Sequence, residues 1–269
     1  MIRVGVGGWT YEPWRGAFYP PKLPQTQELS YASRQLTSIE INGTFYRTQS
    51  PASYRKWASE TPDGFVFSLK GSRYVTNRSQ LAEAGPSITR FMESGLTELG
   101  DKLGPILWQF APTKKFDAQD FGAFLEQLPH AMDGHAIRHV VEVRHKSFAV
   151  PEFITLLRRH DVPVVYADAD EFPAIPDVTG DFVYARLQRC AEDEPTGYSP
   201  AALAEWAQRF ATWSEGGEPD DLARIGPPLD TGARRKRDCF VYFIAGAKVR
   251  APAAAMAFLE RIGTAVPAL

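Results

Sequence analysis

Glu40, in "TSIEINGTFYR", and Glu142, in "VVEVRH", each alternate with branched apolar residues, so each lies in a strand pattern near its carboxyl end. A carboxylate on a strand buried on both faces is costly unless it is paired or used. Two such groups can divide proton transfer, burial keeping one protonated while a neighbouring cation keeps the other ionised. The same pair could flank a glycosidic bond, with their separation fixing the stereochemistry. Cations fall on the same alternating faces: Lys70 in "FSLK", Arg144 in "VVEVRH" and Arg186 in "VYARLQ". Arg144, Arg186 and Lys70 suit a phosphate or carboxylate, which arginine can grip bidentately. Lys70 reads first as a Coulomb partner for Glu40; desolvated, it could instead form a Schiff base.

Other polar side chains end strands in the same way. Asn42, Gln109 and Gln188 fall at inward positions, and in "VVYADAD" the face of Tyr166 is assigned inward together with Asp168 and Asp170. Aromatic rings follow the first two strands: Trp9, Tyr11 and Trp14, then Phe45 and Tyr46. Flat rings beside hydrogen-bonding groups suit a sugar or a nucleobase. The expected site therefore has Glu40 and Glu142 as catalytic carboxylates. Trp9, Tyr11, Trp14, Asn42, Tyr46, Lys70, Gln109, Arg144, Asp168, Arg186 and Gln188 are its expected substrate contacts. The competing reading is a salt-bridge network that closes the core and does no chemistry, since its acids and bases nearly balance. Glu142 and Asp168, on adjacent strands, could share a divalent ion, which would make a metal-dependent isomerase or hydrolase. No histidine falls on an inward strand end and no C-x-x-C spacing occurs, so neither a zinc site nor a cofactor is expected. A Ser-His-Asp hydrolase would need a G-x-S-x-G elbow, which the chain lacks.

Short strand patterns alternate with helical ones along the chain. Strands are expected at residues 3–8, 38–42, 65–70, 105–110, 139–144, 162–168, 182–188 and 239–244. Helices are expected at 26–36, 51–60, 81–102 (interrupted at Gly85–Pro86), 118–128, 152–160, 200–212 and 252–262, with no clear helix after the sixth strand. Strict alternation implies parallel strands with long crossovers. Eight repeats in about 250 residues is the size of a (β/α)8 TIM barrel, an α/β fold whose active sites lie at the carboxyl ends of the strands. An open doubly wound sheet would carry a G-x-G-x-x-G turn, and "VGVGGW" lacks that spacing. One barrel domain over 1–269 is expected. A long loop at 215–237 separates the seventh helix from the eighth strand at the barrel bottom, and its basic run at 234–237 is a solvated surface feature.

The chain has 269 residues, 44% hydrophobic and 23% charged, enough for a full core. Lys plus Arg is 30 against Asp plus Glu 32, a net charge of −2, so there is no overall pull toward nucleic acid or anionic lipid. Nucleic acid is thus not the expected partner, although a local patch with the aromatic rim leaves open a non-catalytic nucleotide- or RNA-binding module. No signal sequence or membrane-spanning run is visible, and Cys190 and Cys239 are expected as reduced thiols in a cytoplasmic protein. Nothing in the pattern specifies an oligomeric state. The expected ligand is a small polar or anionic molecule at the C-terminal barrel face.

The ordered motifs "GGWTYEPWRGAFYP", "EINGTFYR", "FSLKGSRYVT", "LWQF" and "EVRHKSF" resemble the YecE-like family, a domain of unknown function numbered seventy-two. The resemblance implies a TIM barrel with a polar cleft at the strand ends and no established reaction, cofactor or partner. Position by position it supports Trp9, Tyr11, Trp14, Glu40, Asn42, Thr44, Tyr46, Lys70, Gln109, Glu142 and Arg144. It weakens in the C-terminal third. Gln188 stands where the family often has histidine, and Ile244-Ala245 where it often has two asparagines, so an imidazole and one or two amides are replaced.

Overall fold

The structure, a computed structural model, describes residues 1–229, 235–264 and 266. Eight strands form one parallel sheet: β1 (Ile2–Gly7), β2 (Ser38–Ile41), β3 (Val66–Lys70), β4 (Leu103–Gln109), β5 (His139–Glu142), β6 (Val165–Asp168), β7 (Phe182–Leu187) and β8 (Asp238–Phe243). Their order is β5-β4-β3-β2-β1-β8-β7-β6, with β1 paired to both β2 and β8. An isolated parallel bridge, Val141 to Val164, spans the remaining seam, and the Val141 amide donates to the Pro163 carbonyl at 3.0 Å. The sheet is therefore a nearly closed TIM-type barrel.

Period-two alternation sorts each strand between two cores. Val4, Val6, Ile39, Ile41, Phe67, Leu69, Ile106, Trp108, Val141, Val183, Ala185 and Val241 face the helices. Inside, Val66, Leu107, Val140, Val165, Phe182, Tyr184, Phe240 and Tyr242 fill the lumen as a separate cluster. Filled lumens are the rule in eight-stranded barrels, which are packed cores and not pores. Gly5 makes room for this filling. A Cβ there would lie 2.1 Å from the Ser38 carbonyl oxygen and 3.2 Å from the Tyr242 ring.

The flanking helices are α1 (Glu28–Ala32), α2 (Pro51–Glu60), α3 (Gly85–Met92), α4 (Ala118–Glu126), α5 (Pro151–Arg159), α6 (Pro200–Ser214) and α7 (Ala251–Arg261). Their starts are written locally: Ser50, Asp117 and Ser199 accept backbone N–H bonds as N-caps, and α2, α3, α5, α6 and α7 carry proline in the first turn. Residues 81–102 do not form one helix. Pro86 sits in the first turn of α3 and starts it, and the real break is Gly95, at φ 91°. Helix 26–36 is also shorter than expected, a 3-10 turn leading into α1. A small hairpin pairs Ala131–Met132 with His135–Ala136 through Asp133-Gly134, both at positive φ. Asp-Gly is the dipeptide that such a two-residue turn favours.

No helix among the described residues is long and apolar enough to cross a membrane. Cys190 and Cys239 are free and buried, one beyond the carboxyl end of β7 and the other at the amino end of β8. The described part of the 215–237 loop is tied down at the barrel bottom. Asp177 accepts the Ile225 and Gly226 amides at 2.9 and 2.7 Å, and Arg158 donates to the Pro227 carbonyl at 2.7 Å. Arg234, in the basic run, lies outside the described residues, as do 230–233.

Candidate functional site at the barrel mouth

Three long-range side chains meet at the carboxyl ends of the strands. Arg186, on β7, places Nε 3.1 Å from Glu40 Oε2 and Nη2 3.0 Å from Glu40 Oε1, a bidentate grip across the barrel to β2. Its Nη1 donates to Glu142 Oε2, on β5, at 2.6 Å. Gln109 Nε2 and Arg144 Nε complete the donor set of Glu142 at 2.9 Å each. The Tyr184 hydroxyl donates to Glu40 Oε2 at 2.7 Å and lies 2.9 Å from the Ser68 hydroxyl, which donates to the Pro105 carbonyl. One level away, Ser38 and Tyr242 pair at 2.7 Å. All four carboxylate oxygens are thereby engaged, and Glu40, Glu142 and Arg186 are buried.

Electrostatics follows from that geometry. Burial alone would raise the Glu142 carboxyl, but the Arg186 and Arg144 guanidiniums and the Gln109 amide overcome it and hold it down at about 2. Arg186 is likewise held charged, its burial outweighed by Glu142 and Glu40. Burial lifts the Tyr184 hydroxyl well above its ordinary value, and Glu40 adds to the effect, so it serves as a donor.

One inward position further along their strands lie Asn42, Lys70, Arg144 and Gln188, and here the donors are not spent. Lys70 is only 8% exposed, with its backbone carbonyl anchored by the Thr44 hydroxyl at 2.7 Å. Among the described residues no acceptor lies within hydrogen-bonding or ion-pairing distance of its Nζ, which sits 4.4 Å from the centre of the Phe45 ring. Burial, and then Arg186, push its ammonium down to about 8 against the pull of Glu40 and Glu142. The expected Lys70–Glu40 ion pair is therefore not formed, because Arg186 and Tyr184 already occupy Glu40. Arg144 uses Nε on Glu142 and stacks at 4.3 Å over Phe172, which leaves its two terminal nitrogens without a protein acceptor among the described residues. Gln188 Nε2 is buried with no partner among the described residues. Among the described residues Asn42 Nδ2 reaches only the Glu40 carbonyl, at 3.4 Å.

Asp168 does not join this cluster. On β6 the inward residues are Val165 and Ala167, and the opposite face carries Tyr166 against Trp206 and Trp213 of α6. Asp168 shares that outer face, where it meets Arg189 and the Tyr198 hydroxyl, each at 3.2 Å. Burial raises its carboxyl, with Arg189 opposing. Asp170 pairs with Arg189 and is exposed. The Glu142–Asp168 pairing considered for a divalent ion thus puts the two carboxylates on opposite faces of the sheet.

The aromatic residues divide as well. Trp14 has no exposed surface, donates Nε1 to the Lys248 carbonyl at 2.9 Å, and packs on Tyr11, Phe18 and Tyr19, so it is core and not a ligand wall. Trp9 packs edge-on against Trp57, Tyr11 lies under Lys248, and Tyr46 is exposed beside Phe45. Two rings border the unspent donors: Phe45 over Lys70 and Phe172 over Arg144. Phe172 escaped sequence reading because it lies in an irregular segment with no periodicity. Ile244, at the position of a family asparagine, packs against the lumen cluster and makes its side of the mouth apolar. A cleft of about 760 Å³ lies between the loops at 76–80 and 111–115, and none of Glu40, Lys70, Glu142, Arg144, Arg186 and Gln188 lines it.

A family model described as "Protein of unknown function DUF72" matches residues 3–269. The chain belongs to this family. A DUF72 protein of Thermotoga maritima MSB8 superimposes with a TM-score of 0.74 at 24% identity, covering 98% of this chain and 99% of that one. A DUF72 protein of Enterococcus faecalis V583 gives 0.69 at 19% identity, with coverage of 98% and 96%. Both likenesses carry the fold. The UPF0759 protein YunF of Bacillus subtilis is 28% identical over 165 residues, 57% of this chain and 54% of YunF. The match to this curated relative thus spans about half of its length. DUF72 membership supplies no activity, so function must be argued from the mouth itself.

Proposed function

We propose that the barrel mouth is the active site of an enzyme acting by acid/base or nucleophilic chemistry on a small polar, anionic substrate such as a sugar phosphate or nucleoside derivative. The observation that carries this reading is the contrast within the mouth. A saturated carboxylate–arginine layer holds its shape while Lys70, Arg144 and Gln188, one step outward, keep donors that no protein group uses. Of these donors only Gln188 Nε2 is shut away from solvent and therefore costly to leave unpaired, and a ligand that supplies acceptors to it, and to the solvent-touched Lys70 and Arg144, removes that cost. Arg144 and Gln188 bind the anionic group, and the rings of Phe45 and Phe172 flank the rest of the molecule.

Glu40 and Glu142 act in this reading by fixing the charge and position of Arg186 and Arg144. A proton-donor role does not suit Glu142, which stays ionised throughout the neutral range. Lys70, the group in the mouth that titrates near neutrality, is the one poised to take a proton or to attack. We further propose a single catalytic domain located in the cytoplasm, on the strength of the one continuous barrel and the separated free thiols.

The test is a thermal-shift titration with inorganic phosphate and malonate. Bound ligand stabilises by mass action, about 2.7 kcal/mol at a hundredfold excess over Kd. The expected result is a rise in Tm that Arg144→Gln abolishes. No rise, or one that Arg144→Gln leaves intact, overturns the reading.

A further inference from the structure

We propose that Lys70 is an amine nucleophile that condenses with an aldehyde or ketone bearing a carboxylate or phosphate, so that the substrate is held as an imine. The inference rests on the anion-binding reading of the mouth and narrows its substrate class to carbonyl compounds.

The argument begins with what Lys70 lacks. A partly buried lysine that serves structure is tethered by a carboxylate or by carbonyl oxygens, as Lys102 is by Ala58 and Thr61 at 2.6 and 2.5 Å. Lys114 is tethered in the same way by Asp120 and Ser79, at 2.7 Å each. Lys70 has no such tether among the described residues. Glu40 and Glu142, which could have supplied one, are both committed to Arg186. Its amine instead faces an aromatic ring, on a strand end whose backbone is pinned by Thr44, with the charge of Arg186 nearby. Desolvation and a neighbouring cation are the two devices that convert a lysine ammonium into a nucleophile at neutral pH. Arg186 cannot give up its own charge, since two carboxylates hold it. Of the two cations, Lys70 is therefore the one that can release a proton.

The step balances without a further reagent. The neutral Nζ attacks the carbonyl carbon, forming a C–N bond while the C=O pair moves to oxygen, which is protonated to a hydroxyl. Nitrogen then loses a proton as its lone pair expels that hydroxyl, which leaves as water after taking up a second proton. The product is a protonated imine plus one water, and one positive charge remains where the ammonium stood. That cation is an electron sink for bonds next to the former carbonyl, and Arg144 and Gln188 would hold the substrate's anionic end away from it.

The test uses the wild-type chain at pH 7 with glyoxylate as the probe and cyanoborohydride to trap the imine, each lysine being read by peptide mass mapping. At pH 7 an amine titrating near 8 is about one-tenth neutral, against about one part in 2,500 for an ordinary lysine. Lys70 is therefore expected to be trapped at least about ten times faster than the exposed Lys22, Lys56 and Lys115, even after allowance for its cover. Its trapping rate should level off above about pH 8. If Lys70 labels no faster than those surface lysines, both in the wild type and in Phe45→Ala, which uncovers the amine, the inference is wrong. Malonate, which carries no reactive carbonyl, separates the two readings. Arg144-dependent stabilisation by malonate with no trapping at Lys70 removes the imine and leaves the anion site, whereas loss of both removes the site itself.

Discussion

Two levels of the barrel mouth use the same side-chain types to opposite ends. In the inner level, Arg186, Glu40, Glu142, Gln109 and Tyr184 satisfy one another so fully that each carboxylate oxygen has at least one donor. In the outer level, Lys70, Arg144 and Gln188 leave donors without protein acceptors. Buried charge is tolerable when its partners are fixed, and it then rigidifies more than it stabilises. The Gln188 amide nitrogen is buried and open, which costs stability, while the open donors of Lys70 and Arg144 keep solvent contact. In the proposed reading the glutamates, which look like the chemistry in sequence, are the frame, and the cations just outward of them are the working surface.

The sharpest way to break this contrast is to remove the hub. Arg186→Met leaves Glu40 buried without a cation and Glu142 with Arg144 alone, and the expected loss is about 3–5 kcal/mol in urea denaturation. A loss below about 1 kcal/mol would show that the layer is not a frame.

Acid probes the same layer more gently. Glu142 is held at about 2, below its unfolded value of 4.5, so its folded state binds protons less readily than the unfolded chain. Its contribution is fully present above pH 4.5 and disappears as the pH falls through 2, a span of about 3 kcal/mol. Glu142→Gln should flatten that acid limb. An unchanged pH profile of stability would separate Glu142 from the arginines.

The outer level should respond with the opposite sign. Folding lowers Lys70 from 10.5 to about 8, so at pH 7 the folded state carries a charge it disfavours. Lys70→Met is expected to stabilise the protein by about 2 kcal/mol below pH 8, the roughly 3 kcal/mol of the shift less about 1 for the lost ammonium contact with the Phe45 ring, the gain fading as the pH rises to 10.5. A destabilised Lys70→Met would mean that the amine has a structural tether after all. This is the smallest of the three effects and the one that distinguishes a working residue from a frame residue, since sites kept for function often sacrifice stability.

Much of this was legible in advance because alternation is a local code. Strands β2, β3, β5 and β7 each interleave apolar and polar residues, and the polar sets Glu40–Asn42, Ser68–Lys70, Glu142–Arg144 and Arg186–Gln188 did converge inward. The same code failed on β6. There Tyr166 and Asp168 looked like the polar face, but large rings on α6 drew Tyr166 outward and carried Asp168 with it. Trp14 and Phe172 show a second limit. Both lie in segments without period, and only packing put the first in the core and the second over Arg144.

The sequence by itself determined the eightfold alternation, most of the helix starts and the presence of opposite charges at strand ends, because these depend on residues a few positions apart. The tertiary structure alone decided which cation each carboxylate took. Arg186 reaches both glutamates across the lumen, residues 146 and 44 positions away in the chain, and by filling them leaves Lys70 without a counterion. Ion pairing is a competition in space, and a linear order does not record who stands close enough to win it.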